Sequence, residues 1–296
     1  MQAEGVAHER QRALGVFLVF VATIALSTEA VAAKVAYRGG ASVLTVLALR
    51  YLVAAFLFGA GQVVQPVPYR LNGRERLALL ALAICGQAAT VLALFAAFRY
   101  ITAAMAILFL YIYPTVVGIL AYFFLGEPLN RRKVAALALT LAGCVIILGR
   151  PQAELNLLGV GLAVLAAVLN AVFLVGSARL LAQVPVRKFN AYLSYILTAF
   201  FIPLAVVTGE FTLRLTPQAV WAIVFLGVVC TVVALASLFR GLVCVGASRA
   251  AIIATLEPPF TALWGYWLLG ETLTVLQACG GALILAGVAL QARENN

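Results

Sequence analysis

A glutamate followed by two prolines interrupts the otherwise apolar stretch TLEPPFTALWGYWLLGE at residues 255–271. A carboxyl group in apolar surroundings can exchange a proton or bind a ligand, or it can be a protonated group hydrogen-bonded within its own helix. Pro258 and Pro259 lack the N–H group that an α-helix uses, so they predict a kink there. Glu257 therefore has two interpretations, a substrate or proton site and a structural carboxyl, and the kink is either a gate or a packing device.

Arg50 is a second charge inside an apolar stretch, VLTVLALRYLVAAF. Glu29 is predicted near the same depth of the preceding apolar stretch, so an Arg50–Glu29 ion pair is one interpretation. The alternative is that Arg50 binds a substrate carboxylate, because a guanidinium group can donate two parallel hydrogen bonds to it. A swap of the two residues would preserve folding under the first interpretation and abolish substrate binding under the second.

Other polar and aromatic side chains lie within apolar stretches, where each alone is typical of helix–helix packing. Together they could line a cavity that accepts aromatic or aliphatic side chains. The predicted substrate-binding residues are Arg50, Gln87, Tyr111, Tyr113, Asn170, Tyr195 and Glu257. The predicted gating or kink positions are Pro114, Pro258 and Pro259.

Several classes of catalytic site are excluded by residue types. The single histidine, His8, lies in the polar N-terminal segment, and the five cysteines show no C-x-x-C spacing. Neither a His-dependent metal site nor a Ser/His or Cys/His hydrolase fits this pattern. No phosphate-binding loop or nucleophile-elbow motif is present either. We therefore expect no enzyme activity, no metal and no cofactor.

The composition is that of a polytopic membrane protein. The 296 residues are 65% hydrophobic and only 10% charged, whereas soluble domains carry roughly 25% charged residues. About 20 apolar residues form a helix that crosses the hydrocarbon core. Ten such spans are predicted, at 13–33, 43–63, 77–97, 103–125, 133–149, 157–178, 189–208, 218–239, 247–269 and 275–292.

The second half of the chain repeats the first at a constant offset of 144 residues. The most informative matches are Pro114 with Pro258, Tyr122 with Tyr266, Gly126 with Gly270 and Glu127 with Glu271. Each half holds five predicted spans, and an odd number places the second half upside down relative to the first. The predicted organisation is a cytoplasmic tail at 1–12, a five-helix repeat at 13–149 and an inverted five-helix repeat at 157–292.

The basic residues predict the orientation of these spans. With the N-terminus in the cytoplasm, fourteen of the 20 Lys and Arg residues fall in cytoplasmic segments and five in outer segments, with Arg50 inside a span. This asymmetry follows the positive-inside rule and places both termini in the cytoplasm. The basic residues behind the net charge of +10 therefore indicate membrane orientation and not nucleic-acid binding.

The two Gly-Glu pairs end the predicted fourth and ninth spans. Glycine commonly terminates helices, and a glutamate can cap the start of the next helix. We therefore interpret Gly126-Glu127 and Gly270-Glu271 as structural.

The segments YPTVVGILAYFFLGEPLNRRKVAALALTLAGCVIIL and LEPPFTALWGYWLLGETLTVLQACGGALILAGVAL resemble the two EamA domains of the drug/metabolite transporter superfamily. The segments STEAVAAK and YIYPTVVGILAYFF are similar to those of YddG-type amino-acid exporters. The resemblance implies an all-α, ten-helix carrier of the bacterial inner membrane, with a central cavity between its halves. It also implies export of amino acids or related metabolites.

Two transport functions are compatible with this pattern. One is a secondary exporter of small zwitterionic metabolites, working by alternating access as a monomer in membrane lipid. The other is a proton-coupled exporter of lipophilic cations, with Glu257 as the exchangeable carboxylate. A membrane enzyme or a non-transporting assembly protein is disfavoured, because the loops offer no cluster of catalytic His, Asp or Lys.

Overall fold

A computed structural model describes residues 2–101, 103–148, 156–269 and 275–292, and within these ranges every regular element is a helix. The α-helices are α1 (Gln2–Ser27), α2 (Glu29–Arg38), α3 (Val43–Val64), α4 (Gly73–Ala81), α5 (Ala89–Ala97), α6 (Ala103–Leu110), α7 (Tyr113–Leu125), α8 (Arg131–Leu148), α9 (Leu157–Leu181), α10 (Val186–Val207), α11 (Pro217–Gly227), α12 (Ala234–Val245), α13 (Ala247–Ala254), α14 (Glu257–Leu269) and α15 (Val275–Ala292). Two π-helical segments, Leu82–Ala88 and Val228–Val233, join α4 to α5 and α11 to α12.

Seven helical stretches of the described chain are long and apolar enough to cross a membrane. They are Glu9–Arg38, Val43–Val64, Gly73–Ala97, Met105–Leu125, Leu157–Leu181, Val186–Val207 and Pro217–Val245. Helices α8 and α15 occupy the predicted fifth and tenth spans, and α13 with α14 occupies the ninth. The all-helical membrane architecture is therefore confirmed, while ten crossings in two inverted repeats stay a prediction.

The first span differs from its prediction. Helix α1 begins at Gln2, so the segment expected as a tail at 1–12 is helical from its second residue. The apolar helix does not run unbroken over 13–33, because it ends at Ser27 and restarts at Glu29 after a turn at Thr28. The break places the Glu29 carboxylate in the first turn of α2, where the partial positive charge of a helix N-terminus favours it.

The main helix pairs join the two halves of the chain. Helix α1 packs on α12, α3 on α10, α5 on α9 and α8 on α15. Glycines allow the closest approaches, and these recur at the repeat offset: a Cβ on Gly143 would lie 2.6 Å from the Gly280 carbonyl, and one on Gly287 would lie 2.9 Å from the Ala136 carbonyl. Since the partners come from opposite halves, the main hydrophobic core of the described residues is shared between them.

Hydrogen bonds between connections distinguish the two ends of the bundle. At one end the Thr216 N–H donates to the Gly39 carbonyl, and the Thr45 hydroxyl donates to the Glu210 carbonyl at 2.7 Å. Arg187 instead donates to the Gly61 carbonyl at 2.8 Å. Residue 61 lies about five turns along α3 from its start, so this contact marks the opposite end.

Glu127 caps a helix, but not the one expected. Gly126 ends α7 in the left-handed conformation, with φ 69°. The Glu127 carboxylate accepts hydrogen bonds from the N–H groups of Ala247 at 2.6 Å and Ser248 at 3.1 Å. It therefore caps α13 of the other half, whereas the sequence predicts a cap on the next helix. Its repeat partner, Glu271, lies outside the described residues.

Candidate functional site

Helix breaks at matching positions of the two halves bring polar groups into the bundle. Helix α6 gives way to a turn at residues 111–112 before α7, and α13 gives way to a turn at residues 255–256 before α14. These turns are 144 residues apart, as the repeat predicts. Both contain hydrogen bonds that span only three residues, such as Leu256 N–H to the Ile253 carbonyl at 3.0 Å. Such breaks belong where the backbone faces protein or a water-filled cavity.

The predicted proline kinks are helix starts. Pro114 lies in the first turn of α7, and Pro258 and Pro259 follow Glu257 at the start of α14. In a first turn the missing N–H has no intrahelical partner to lose, so proline is tolerated there. Pro114 and Pro258 are buried, and each follows a two-residue turn that interrupts the helix.

Arg50 forms the ion pair that one interpretation of the sequence predicts. Its Nη1 donates to Oε1 of Glu29 at 2.5 Å and its Nη2 donates to Oε2 at 3.1 Å, which gives a bidentate pair. Two further hydrogen bonds reach the π-helical segment after α11: Nε donates to the Thr231 hydroxyl at 3.0 Å, and Nη2 donates to the Cys230 carbonyl at 3.2 Å. Residues of the second half therefore stabilise an ion pair whose two members both lie in the first half.

The π-helical segment explains why those oxygens are available. A π-turn widens the helix by one residue, so its backbone carbonyls are displaced from regular α-helical bonding. The Thr231 hydroxyl bonds to the carbonyl of Leu226, five residues earlier, at 2.9 Å. Cys230 and Thr231 thereby present oxygens towards α3, where Gly227 allows close approach: a Cβ there would lie 3.2 Å from the Arg50 carbonyl.

A cavity of about 230 Å³ lies beside this charge pair. Its polar lining consists of Glu29, Tyr37, Arg50, Tyr51, Gln87 and Thr231. Its apolar lining includes Leu26, Val46, Leu47, Val91, Leu94, Phe95, Phe98, Ile107, Leu226 and Leu235. Both halves contribute, so the cavity lies between the repeats, with charge concentrated on one wall.

Gln87 occupies the repeat position of Thr231, since 144 residues separate them. It lies in the π-helical segment Leu82–Ala88, and its amide donates to the Tyr51 hydroxyl at 3.4 Å. Both π-helical segments therefore direct a polar side chain at the same cavity. The predicted binding residues Arg50 and Gln87 are brought together there.

Glu257 belongs to a second polar cluster at the helix breaks. Its carboxyl group is hydrogen-bonded to Tyr111, and Tyr113 and Cys144 lie within its electrostatic reach. The rings of Tyr111 and Tyr113 are 6.2 Å apart. Glu257 also lies within electrostatic reach of Glu29, so the two clusters share one polar region.

Two predicted binding residues lie elsewhere. Asn170 is half-buried on α9 and is absent from the cavity lining. Tyr195 is 41% exposed, and its hydroxyl packs against α3, where a Cβ on Gly59 would lie 2.7 Å from it. Neither residue is among those that line this cavity. Tyr195 contributes to α3–α10 packing.

Two cavity-region residues were missed from the sequence. Tyr51 lines the cavity and lies 144 residues before Tyr195. The repeat therefore indicated both tyrosines, but not which of them lines the cavity. Trp264 donates from its indole nitrogen to the Ser27 hydroxyl at 2.9 Å and joins α14 to the break after α1. No sequence signal distinguishes this tryptophan from the others in the apolar stretches.

The repeat positions of the charge pair are not charged. Phe173 stands 144 residues after Glu29, and Ser194 stands 144 residues after Arg50. Phe173 packs with Phe189 and Phe239, with ring centroids 6.0 Å apart for Phe173–Phe239 and 4.8 Å apart for Phe189–Phe239. All three rings are buried. One pseudosymmetric region is therefore polar and hollow, while its counterpart is filled by an aromatic cluster.

Comparisons with known proteins agree with this architecture. Residues 13–149 and 157–293 each match the EamA-like transporter family. An uncharacterized transporter of Archaeoglobus fulgidus is 34% identical over 238 residues, which cover 80% of this chain and 84% of that protein. The uncharacterized transporter YcbK of Bacillus subtilis is 27% identical, with 96% of this chain and 95% of that protein covered.

A solved crystal structure has the same fold, with a TM-score of 0.82 at 21% identity over 94% of this chain and 96% of that one. The resemblance to EamA repeats is thereby confirmed. Because the family match extends over both halves and the helices have membrane-spanning length, the chain belongs to the EamA-like transporter family and is a multi-pass membrane protein.

Proposed function

We propose that the protein is a secondary carrier, not an enzyme, that exports amino acids or related small metabolites across the bacterial inner membrane. The observation that carries the proposal is the cavity between the halves, which is lined by a charge pair, by a few other polar side chains and by a majority of apolar ones. Such a cavity suits a small solute with a charged head and an apolar body. No cofactor is required, and the carrier acts as a monomer.

Alternating access accounts for the difference between the two pseudosymmetric regions. In the proposed topology Glu29 and the cavity lie in the outer half of the membrane, and Phe173 with its partners lies in the inner half. The aromatic cluster closes the inner path while the polar cavity is formed. In the opposite state the aromatic rings separate and the outer path closes. The turns before Pro114 and Pro258 act as hinges of this motion.

The Glu257 cluster has two roles compatible with this cycle. The carboxyl group takes up a proton that drives transport, or it stays a structural hydrogen-bond partner of Tyr111. In the first role Glu257→Gln abolishes stimulation by a pH gradient. In the second role the same variant leaves that stimulation unchanged.

Flux into proteoliposomes tests the proposal. Purified protein is reconstituted and exposed to a labelled panel of aromatic, aliphatic and charged amino acids, with and without an imposed pH gradient. We expect saturable flux of several amino acids above that of empty vesicles. Lack of flux for every amino acid, in vesicles that do move a lipophilic cation, would reject the amino-acid proposal.

The second candidate function is proton-coupled export of lipophilic cations. It is favoured by the two carboxyl groups, Glu29 and Glu257, that share one polar region. Under this function tetraphenylphosphonium moves against its gradient when a pH gradient is imposed. Glu257→Gln then stops that movement, whereas facilitated flux of zwitterions would survive the substitution.

A further inference from the structure

Both charged side chains line the cavity, and the carboxylate is the more exposed of the two. The Arg50 side chain is only 8% exposed, whereas the Glu29 side chain is 38% exposed. Four of the five guanidinium N–H donors are engaged, two by Glu29, one by Thr231 and one by the Cys230 carbonyl. A substrate carboxylate would have to displace bonds that the protein already makes.

The Glu29 carboxylate keeps capacity for a ligand. A carboxylate offers about four lone-pair sites on its two oxygens. Each oxygen accepts one hydrogen bond from Arg50, so about two sites stay available on the exposed side. A protonated amine suits them, because it carries several N–H donors and a positive charge.

The rest of the lining fits the same ligand. The remaining lining is mainly aliphatic and aromatic, with Val91, Phe98 and Ile107 among its side chains. A volume of about 230 Å³ holds about eight non-hydrogen atoms, if water's share of roughly 30 Å³ per molecule is the guide.

From these observations we infer that Glu29 is the substrate-recognising residue, that Arg50 positions it, and that the ligand class is a compact primary amine with an apolar body. The inference rests on the proposed function, because it identifies the recognition group of the same cavity. It replaces Arg50 as the contact for a substrate carboxylate. An amino acid is then recognised through its ammonium group, and its carboxylate contributes little to affinity.

Ligands that each lack one charged group test the inference directly. Leucine, isoamylamine, which lacks the carboxylate, and isocaproate, which lacks the amine, are added to purified protein in detergent, and the shift in Tm is measured. We expect leucine and isoamylamine to raise Tm and isocaproate to have no effect. An isocaproate shift as large as that of isoamylamine, or no shift with any of the three, would overturn the inference.

Variants of Glu29 provide the second readout. Glu29→Gln removes the charge and keeps the shape, and we expect isoamylamine to bind at least tenfold more weakly, because a charge-assisted hydrogen bond is lost. Glu29→Asp keeps the charge and the Arg50 partner, so it replaces the glutamine variant in this measurement if that variant does not fold. Because its side chain is only shorter, Glu29→Asp should weaken isoamylamine binding less than Glu29→Gln does. Glu210→Gln is the matched control, because Glu210 is an exposed carboxylate outside the cavity. Equal binding to Glu29→Gln and the control would contradict the assignment.

Failure of this inference and failure of the proposed function give different results. Isoamylamine binding without flux of any amino acid supports amine recognition and rejects amino acids as the transported solute. Leucine flux that isocaproate inhibits as well as isoamylamine does rejects amine recognition and leaves the carrier function standing.

Discussion

Arg50 shows how a charge inside a membrane helix is stabilised by partners from two other elements. Glu29 supplies the countercharge, and Thr231 and Cys230 supply oxygens from the π-helical segment. Its side chain is almost fully buried, so removal of one partner leaves an uncompensated charge in a medium that solvates it poorly. The stability of this region therefore depends on both members being present.

The first prediction is a double-mutant cycle on this pair. Arg50→Met should lower the free energy of unfolding by about 2 kcal/mol, less than the value for a fully buried pair because Glu29 is partly exposed. Arg50→Met combined with Glu29→Gln should recover most of the loss, since no charge is then unpaired. Chemical unfolding in detergent measures both. Strictly additive losses would show that the two side chains do not stabilise each other.

The second prediction concerns the carboxylate that caps α13. Glu127→Gln should lower the free energy of unfolding by about 1 kcal/mol, because the charge favoured at a helix N-terminus is lost. Lys133, whose ammonium lies 3.5 Å from Glu127, loses its partner as well. Glu210→Gln again serves as the control in the same unfolding assay. Equal stability of the two variants would mean that the cap is held by its geometry and not by its charge.

At the scale of elements, the breaks before α7 and α14 divide two helices that would otherwise cross the membrane unbroken. Pro114 and Pro258 cannot donate the hydrogen bond that would close each break. Alanine at either position restores a donor and favours a continuous helix. The structure therefore keeps these two helices divided at the depth of Tyr111 and Glu257.

The third prediction follows from that property. Pro114→Ala and Pro258→Ala should each reduce the maximal rate of amino-acid flux several-fold and leave the ligand-induced shift in Tm nearly unchanged, because binding does not require the hinge to move. Pro203→Ala is the matched control, since Pro203 lies inside α10 at an exposed position. A control as slow as the two variants would assign the effect to general loss of helix geometry.

Much of this arrangement could be predicted from the sequence, and the exceptions have physical causes. The offset of 144 residues located both helix breaks, and the depth of Arg50 and Glu29 predicted their pairing. The repeat could not say that Tyr51 and not Tyr195 lines the cavity, because the two halves surround it unequally. Each π-helical segment also inserts one residue, which turns every later side chain by about 100° relative to a regular helix. Contacts such as Glu127 with Ala247 depend on tertiary packing, which local patterns do not encode.

At the scale of the whole molecule, the connections define two opposite ends. Residues 39–42 contact residues 209–216 at one end, while Gln65 and Arg187 meet at the other at 3.2 Å. The positive-inside pattern predicts that the first end faces outward and the second faces the cytoplasm. The proposed cavity would then open outward.

The fourth prediction tests this orientation by cysteine labelling. In a background with the five native cysteines replaced, Leu213→Cys should react with a membrane-impermeant maleimide on intact spheroplasts, because Leu213 is 70% exposed on the outward loop. Gln65→Cys, which is also exposed, should react only after the membrane is permeabilised. The reverse pattern would invert the topology and place the cavity on the cytoplasmic side.

The pairing of helices across the halves has a consequence for biosynthesis. The chain is synthesised and inserted from its N-terminus. Helices such as α1, α3 and α8 are therefore in the membrane before their partners α12, α10 and α15 have been made. Arg50 would be costly during that interval, yet Glu29 is synthesised before it and belongs to the same half. The pair can neutralise itself early, and Cys230 and Thr231 join it only when the second half arrives.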